Sequence, residues 1–340
     1  MLTGLFGISG FYRECLVDHF RSLIESHRRF ILTTHVNPDG DGLGSQIALA
    51  ALLRTHNKDV RIINYDTTPP NFLFLDPHGF IELYDALRHR PLILNAEVIF
   101  LVDTNAPNRL RSMGQAVFES PALKIIIDHH PEPVNVGPFS IVDFEATATG
   151  EIIYRLIQQI DPNVLTAEVS TALYTAIMTD TGSFRFPKTD PEIHRITADL
   201  IQHGADPTEI YSHVYECGPI NRMHLLGQML SGLATTPDGA VSYGVITQKM
   251  FKETQTSEVD TDGFTNYILG IGGIRVGLLF VEQLDEVKIS FRSKGDIPIN
   301  KLAQEFGGNG HINAAGARIH GIPLNVVIQQ VLARVSSFIH

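Results

Sequence analysis

Three short apolar runs in this chain each end on a histidine or an aspartate. That coincidence limits the available folds more than any other feature. Phe30 to Thr34 runs into His35, Val98 to Val102 into Asp103, and Leu123 to Ile127 into Asp128-His129-His130. The last two runs are almost continuously apolar, the pattern of strands buried on both faces of a parallel sheet. Open α/β sheets place their sites just beyond the carboxyl ends of such strands. One polar residue after a strand is ordinary. Three runs that all end on His or Asp point to one shared site.

The pattern around those strands predicts an α/β first domain with flanking helices. Leu16, Phe20, Leu23 and Ile24 recur at helical spacing over residues 12–27. A second helix is expected over residues 45–56, apolar nearly all round and therefore buried. Further strands are expected at 60–64 and 140–143, with helical patterns at 149–160, 166–179 and 191–203. Gly204 and Asp206-Pro207 break the regularity, so the first domain is drawn as residues 1–205. Residues 206–233 read as a helical connector with a break at Gly218-Pro219. From 234 to 340 the character changes to a smaller α+β domain. Strands are expected there at 241–246, 274–281 and 287–291, with a closing amphipathic helix at 323–338.

Bulk properties exclude several classes. The length of 340 residues suits two domains, and 44% hydrophobic with 19% charged residues is an ordinary globular balance. The net charge of −11 argues against long duplex DNA as a partner, because phosphate neutralisation dominates such affinity. Cys15 and Cys217 form no Cys-x-x-Cys, which removes zinc ribbons and disulfide scaffolds. Met1 to Phe11 carries no secretory pattern and no stretch approaches a membrane span, so a reduced, cytoplasmic protein without membrane contact is expected.

The densest chemistry lies in His35-Val-Asn-Pro-Asp39-Gly-Asp41-Gly-Leu-Gly-Ser45. Carboxylates at Asp39 and Asp41 repel unless a cation lies near both. A calcium loop of the EF-hand type is rejected, since its fifth and twelfth positions fall on Leu43 and Ala50. A turn built on Asp-Gly is the bland alternative. Asp128-His129-His130 suits a site in which one imidazole binds metal, the other faces substrate, and the aspartate orients a neighbour. Thr179-Asp180-Thr181-Gly182 is weak alone. Ser183 to Phe186 either line a cleft or, for Phe184 and Phe186, belong to the core.

Taken in order, His35-x-Asn-Pro-Asp39-Gly-Asp41, Asp103, Asp128-His129-His130 and Asp180-Thr-Gly182 resemble the four motifs of the DHH phosphoesterases. Gly307-Gly308-Asn309-Gly310-His311-Ile-Asn-Ala-Ala-Gly316 resembles the signature of the associated DHHA1 domain. Length and spacing are similar to the branch that combines an oligoribonuclease (nanoRNase) with a phosphatase of 3′-phosphoadenosine 5′-phosphate (pAp).

The resemblance implies two Mn²⁺ ions per chain, with Mg²⁺ or Co²⁺ as substitutes. It implies that His35 and Asp39 hold one ion, that Asp41, His129 and Asp180 hold the other, and that Asp103 bridges them. Asp128 would orient the cluster and His130 would contact the scissile phosphate. Mixed carboxylate and imidazole ligation suits Mn²⁺ better than thiolate-rich zinc sites do. Arg292, with Ser293 beside it, would grip a terminal phosphate or base, and Arg109 is a weaker contact on the scissile side. Gly308, Asn309, Gly310 and His311 would bind anion, with the residues after His311 opening a helix. Asn309 interrupts the usual glycine run, and asparagine tolerates left-handed backbone better than most residues. The implied substrates are short oligoribonucleotides and pAp, and a homodimer is left open. An inorganic pyrophosphatase or polyphosphatase is the alternative activity. A nucleotide-binding regulator without catalysis ranks lower, because no motif residue is missing.

Overall fold

A computed structural model of the protein describes residues 10–130 and 139–339. Most of the N-terminal stretch read for a leader, residues 1–9, lies outside the described residues, as does 131–138 after the paired histidines. The chain divides into two compact units, Met1–Cys217 and Gly218–His340. The stretch read as a connector is shared between them. Ile210 and Val214 are buried in the first unit's core, whereas Leu225, Leu226 and Met229 belong to a core of the second.

The first unit alternates helix and strand. It opens with α1 (Gly10–Ser26), β1 (Arg29–Thr33), α2 (Gly40–Thr55), β2 (Asp59–Asn64), β3 (Ile81–Leu83) and α3 (Ala86–Leu94). It continues with β4 (Val98–Val102), α4 (Met113–Glu119), β5 (Leu123–Asp128), β6 (Phe139–Val142), α5 (Thr149–Ile160), α6 (Ala167–Asp180), α7 (Pro191–Gln202) and α8 (Pro207–Tyr215). The six strands form one parallel sheet in the order β3-β2-β1-β4-β5-β6. Side chains alternate between its faces, as the two-residue strand period requires. Phe30, Leu32, Phe100, Ile125 and Ile127 pack into the α2/α5/α6 layer. Ile31, Ile99, Leu101 and Ile126 pack toward Ile93 of α3 and Met113 and Val117 of α4. Each such side chain stabilises the fold by about 1.5–3 kcal/mol when fully buried. The strand order reverses between β1 and β4, and a crevice opens at the carboxyl ends of strands at such a switch point. Asp103 follows β4 directly, and His35 lies two residues past β1.

The helix expected from Ser45 begins five residues earlier, at Gly40, with Asp39 as its N-cap accepting from the Gly42 amide. Its glycines are therefore helical rather than loop residues. Their purpose is close approach, because α2 lies along α6 and a Cβ on Gly44 would collide with the Ala172 carbonyl oxygen. β3, α3 and α4 have no counterpart in the sequence reading. They are short, and α3 has Pro91 inside it.

The second unit comprises α9 (Ile220–Ser231), β7 (Ala234–Thr235), β8 (Val241–Ile246), α10 (Gln248–Thr254), α11 (Phe264–Leu269), β9 (Val276–Glu282) and β10 (Glu286–Ser293). It ends with α12 (Ile299–Glu305), β11 (Asn309–His311), β12 (Ala314–His320) and α13 (Leu324–Val335). Its sheet runs β11-β12-β10-β9-β8-β7, antiparallel except for the β8–β9 pair. The glycine-rich stretch departs from expectation here. No helix starts after His311; β11 and β12 form a hairpin, pairing Asn309 with Gly316 and His311 with Ala314. Asn309 is a strand residue and does not take left-handed backbone. Gly308 and Gly310 are needed because a Cβ on either would strike the carbonyl oxygens of Gly316 and Ala314.

Candidate metal centre

The sheet, α2 and α6 bring the first unit's polar motif residues to one place. His35 is two residues past β1, and Asp103 follows β4. Asp128 ends β5, with His129 and His130 next, and Asp180 ends α6. Asp39 and Asp41 open α2. His35, Asp41, Asp103, Asp128 and His129 are buried, whereas the Asp39 side chain is 52% exposed.

Two donor sets emerge. His35 Nε2 lies 3.6 Å from Asp39 Oδ2 and 3.3 Å from Asp103 Oδ2. His129 Nε2 lies 3.2 Å from Asp180 Oδ2, 3.7 Å from Asp41 Oδ2 and 3.8 Å from Asp103 Oδ1. The two oxygens of Asp103 thus face different histidines. The donor atoms of His35/Asp39/Asp103 lie within 4.8 Å of one another, as do those of Asp41/His129/Asp180 and of Asp103/His129/His130. Both ligand-type histidines are oriented from behind. His35 Nδ1 is 2.7 Å from the Val36 carbonyl, and His129 Nδ1 is 3.3 Å from that of Ala146. A donating Nδ1–H leaves the Nε2 lone pair of the neutral ring aimed at the cluster.

Asp128 makes no such approach. Its Oδ1 accepts from the amides of His129 and His130 and lies 2.7 Å from His130 Nδ1. It fixes the paired histidines rather than joining either donor set. Arg109 is half-buried, and its carbonyl accepts from the Val36 amide at 2.9 Å, tying the Pro107–Leu110 turn to the His35 loop. Asp103 has φ of 58°, left-handed backbone that costs an L-residue about 1–2 kcal/mol. Strain of that kind at a site residue is tolerated when the surroundings over-determine it.

The electrostatics are those of closely packed carboxylates and imidazoles. Burial pushes the Asp41 carboxyl well above its usual range, and the neighbouring Asp103, Asp180 and Asp39 charges push it further. Burial also lifts Asp180, to about 6, helped by Asp103 and Asp39 and opposed by His129. Burial opposes the charged His35 ring, yet Asp39 and Asp103 raise it to about 10. His130 is likewise opposed by burial but raised to about 8 by Asp128 and Asp103. Asp103 moves the other way: burial would raise it, but the His35 hydrogen bond and the nearby imidazoles hold it below the carboxylate range. Four carboxylates, Asp39, Asp41, Asp103 and Asp180, carry a formal −4 that two divalent cations would balance. Hard oxygen donors with imidazole nitrogens fit Mn²⁺ or Mg²⁺-like ions.

A family model for the DHH family, N-terminal domain, matches residues 29–177, and one for the DHHA1 domain matches residues 242–340. The bifunctional oligoribonuclease and PAP phosphatase NrnA of Thermus thermophilus is 31% identical over 304 residues, covering 89% of this chain and 88% of that protein. This chain belongs to the DHH family. As a DHH protein with a DHHA1 domain it is a hydrolase acting on phosphate esters. The Bacillus subtilis NrnA is 29% identical, covering 87% of this chain and 91% of that protein. A crystal structure of an exopolyphosphatase-related protein from Bacteroides fragilis superposes with a TM-score of 0.90 at 32% identity, covering 95% of this chain and 97% of that one. RecJ from Thermus thermophilus, solved in complex with Mn²⁺, shares the fold at a TM-score of 0.56 and 13% identity, covering 99% of this chain and 56% of its own.

Two groups of contacts in the DHH protein's site carry no motif signal. Thr149 donates its hydroxyl to Asp103 Oδ1 at 2.9 Å and its amide to Asp41 Oδ2 at 2.7 Å, and the Gly150 amide meets Asp41 Oδ1 at 2.8 Å. Beneath them, buried Asn64 and Gln46 form a reciprocal amide pair, and Asn64 also accepts from the Thr34 amide. Ser183 and Phe184, at φ of 59° and 62°, turn the chain sharply after Asp180. Phe184 then packs against Tyr174 and His194, whereas Phe186 is 52% exposed.

In the second unit, Arg292 is half-buried on β10 and donates to the Phe291 carbonyl at 3.0 Å. Burial lowers its pKa, opposed by the Asp262 charge. Ser293 donates its hydroxyl to the Ile297 carbonyl and accepts from Asn313. Asn309 is exposed, with its side chain accepting from the Gly310 amide. Among the described residues no helix is long and apolar enough to cross a membrane.

Proposed function

We propose that this chain is a two-metal phosphoesterase that hydrolyses short oligoribonucleotides and pAp, with Mn²⁺ as the ion. The carrying observation is Asp103, whose Oδ2 faces the His35/Asp39 set and whose Oδ1 faces His129 of the Asp41/His129/Asp180 set. In this reading the first set holds one ion, the second holds the other, and Asp103 is shared. Ions so placed would supply an activated water and a sink for phosphoryl charge.

The chain's own groups do the rest. His130, held through Nδ1 by Asp128, presents Nε2–H as a donor to a phosphate oxygen, and charge-assisted donors of this kind are the stronger ones. Arg109 is the cation on the same side. In the second unit, Arg292 and the stretch Gly308, Asn309, Gly310 and His311 are the proposed contacts to phosphate or base. The acidic net charge of −11 suits a substrate with few phosphates and not a long duplex. The names of the curated relatives, which specify oligoribonuclease and PAP phosphatase, support the substrate class.

The test is a substrate panel with Mn²⁺-loaded protein: pAp, a 5′-phosphorylated diribonucleotide, pyrophosphate and a long duplex. The expected result is kcat/KM for the first two at least about tenfold above that for pyrophosphate, a difference of about 1.4 kcal/mol in transition-state binding, with no turnover of duplex. Pyrophosphate turned over fastest would assign the site to inorganic phosphates. Stoichiometric binding of pAp without product would make the chain a regulator.

A further inference from the structure

We propose that the N-terminus of α5 is the template on which the metal site is built, with Thr149 as the positioning residue for Asp103. The inference rests on the two-metal reading and deepens it.

The helix lacks a cap of its own. Ala148 occupies the N-cap position and has no side chain that can accept from the first-turn amides. Helix termini leave such amides unsatisfied unless another group reaches them. Here the acceptor is Asp41, which comes from the first turn of α2, 108 residues earlier in sequence. Each Asp41 oxygen takes one amide, from Thr149 and from Gly150. The Ser45 hydroxyl adds a third donor to Oδ1 at 3.2 Å. The same Thr149 turns its hydroxyl to Asp103 Oδ1. One dipeptide therefore fixes two buried carboxylates that belong to different donor sets.

Two like charges this close repel, and Asp103 is among the causes that raise Asp41. The positive end of a helix dipole and three hydrogen-bond donors offset part of that repulsion before any cation arrives. There is no slack at this contact. A Cβ on Gly150 would lie 2.6 Å from Ala176 of α6 and 3.4 Å from Asp41 Oδ1. Asp103 is held at both ends, by His35 at Oδ2 and by Thr149 at Oδ1. Without the hydroxyl, Asp103 keeps the His35 contact at Oδ2, and the oxygen aimed at His129 loses that restraint. Asp103 would then be fit to hold one ion rather than to be shared by two.

The experiment compares wild type with Thr149→Val, Thr149→Ala and Thr149→Ser. The readouts are Mn²⁺ binding by calorimetry, the low-temperature electron paramagnetic resonance spectrum, and the melting temperature of metal-free protein. Wild type and Thr149→Ser are expected to bind two ions and to give the spectrum of an exchange-coupled pair. Thr149→Val and Thr149→Ala are expected to bind the second ion about 10–100-fold more weakly, the usual cost of losing an outer hydrogen-bond partner. At two equivalents of Mn²⁺ they should give the spectrum of isolated ions. Thr149→Ala adds no bulk, so it carries the comparison should Thr149→Val fail to fold. A coupled pair of wild-type affinity in both hydroxyl-free variants overturns the role of Thr149 and leaves the two-metal reading standing. Loss in Thr149→Ser equal to that in Thr149→Val also overturns it, since packing and not the hydroxyl would then be responsible. Wild type that binds fewer than two ions overturns both.

Discussion

Asp103→Asn is expected to lower kcat/KM on pAp by about 10³-fold or more while leaving the metal-free protein folded. Loss of one outer partner of a metal site costs about 10–100-fold, and in the proposed two-metal reading Asp103 is shared between the His35/Asp39 ion and the Asp41/His129/Asp180 ion, so a single substitution would weaken two ions together. Asparagine is the informative replacement for two reasons. It keeps the shape of the side chain, and it tolerates the left-handed backbone that Asp103 adopts at φ 58°. A melting temperature of metal-free variant within a few degrees of wild type would separate lost chemistry from lost fold. Activity within tenfold of wild type would remove Asp103 from the centre of the site.

The largest effect on stability is expected at Gly44. A side chain there meets the Ala172 carbonyl, a backbone atom of α6 that cannot move aside without shifting the helix. Overpacking of this kind costs about 1–3 kcal/mol and occasionally more. Gly44→Val, with two branches at Cβ, should reach the upper end, about 3 kcal/mol. For a domain of this size each kcal/mol shifts the melting temperature by roughly 2–4 °C, which predicts a drop of about 10 °C by calorimetry. Because α2 carries Asp39 and Asp41 and α6 carries Asp180, the same variant should bind Mn²⁺ more weakly at a temperature where it is still folded. A melting temperature unchanged from wild type would mean that the helices do not approach as closely as this packing requires.

Much of the first unit was legible because parallel strands buried on both faces leave continuous apolar runs, and β1, β4 and β5 are such runs. Their ends carry His35, Asp103 and Asp128 to His130, so strand ends and candidate site were read together. What stayed hidden has physical reasons. The start of α2 at Gly40 was obscured because its glycines look like loop residues; only the proximity of α6 explains them. β3, α3 and α4 are too short for periodicity to register. In the sequence the β11–β12 hairpin reads as a loop opening a helix, because Gly308 and Gly310 act through close backbone pairing that residue type alone does not distinguish from a phosphate loop. Thr149 carries no motif signal for a different reason. Its partners Asp41 and Asp103 are distant in sequence, and Ala148 at the N-cap was the one local sign that the helix would need an acceptor from elsewhere.

The central claim is that two ions share Asp103, and stoichiometry tests it most directly. Metal-free protein, held well above its dissociation constant for Mn²⁺, would be titrated with the ion while phosphate release from pAp is followed. The rate is predicted to rise to a plateau at two equivalents per chain and to vanish on chelation. A plateau at one equivalent, or full activity in chelated protein, would contradict the account.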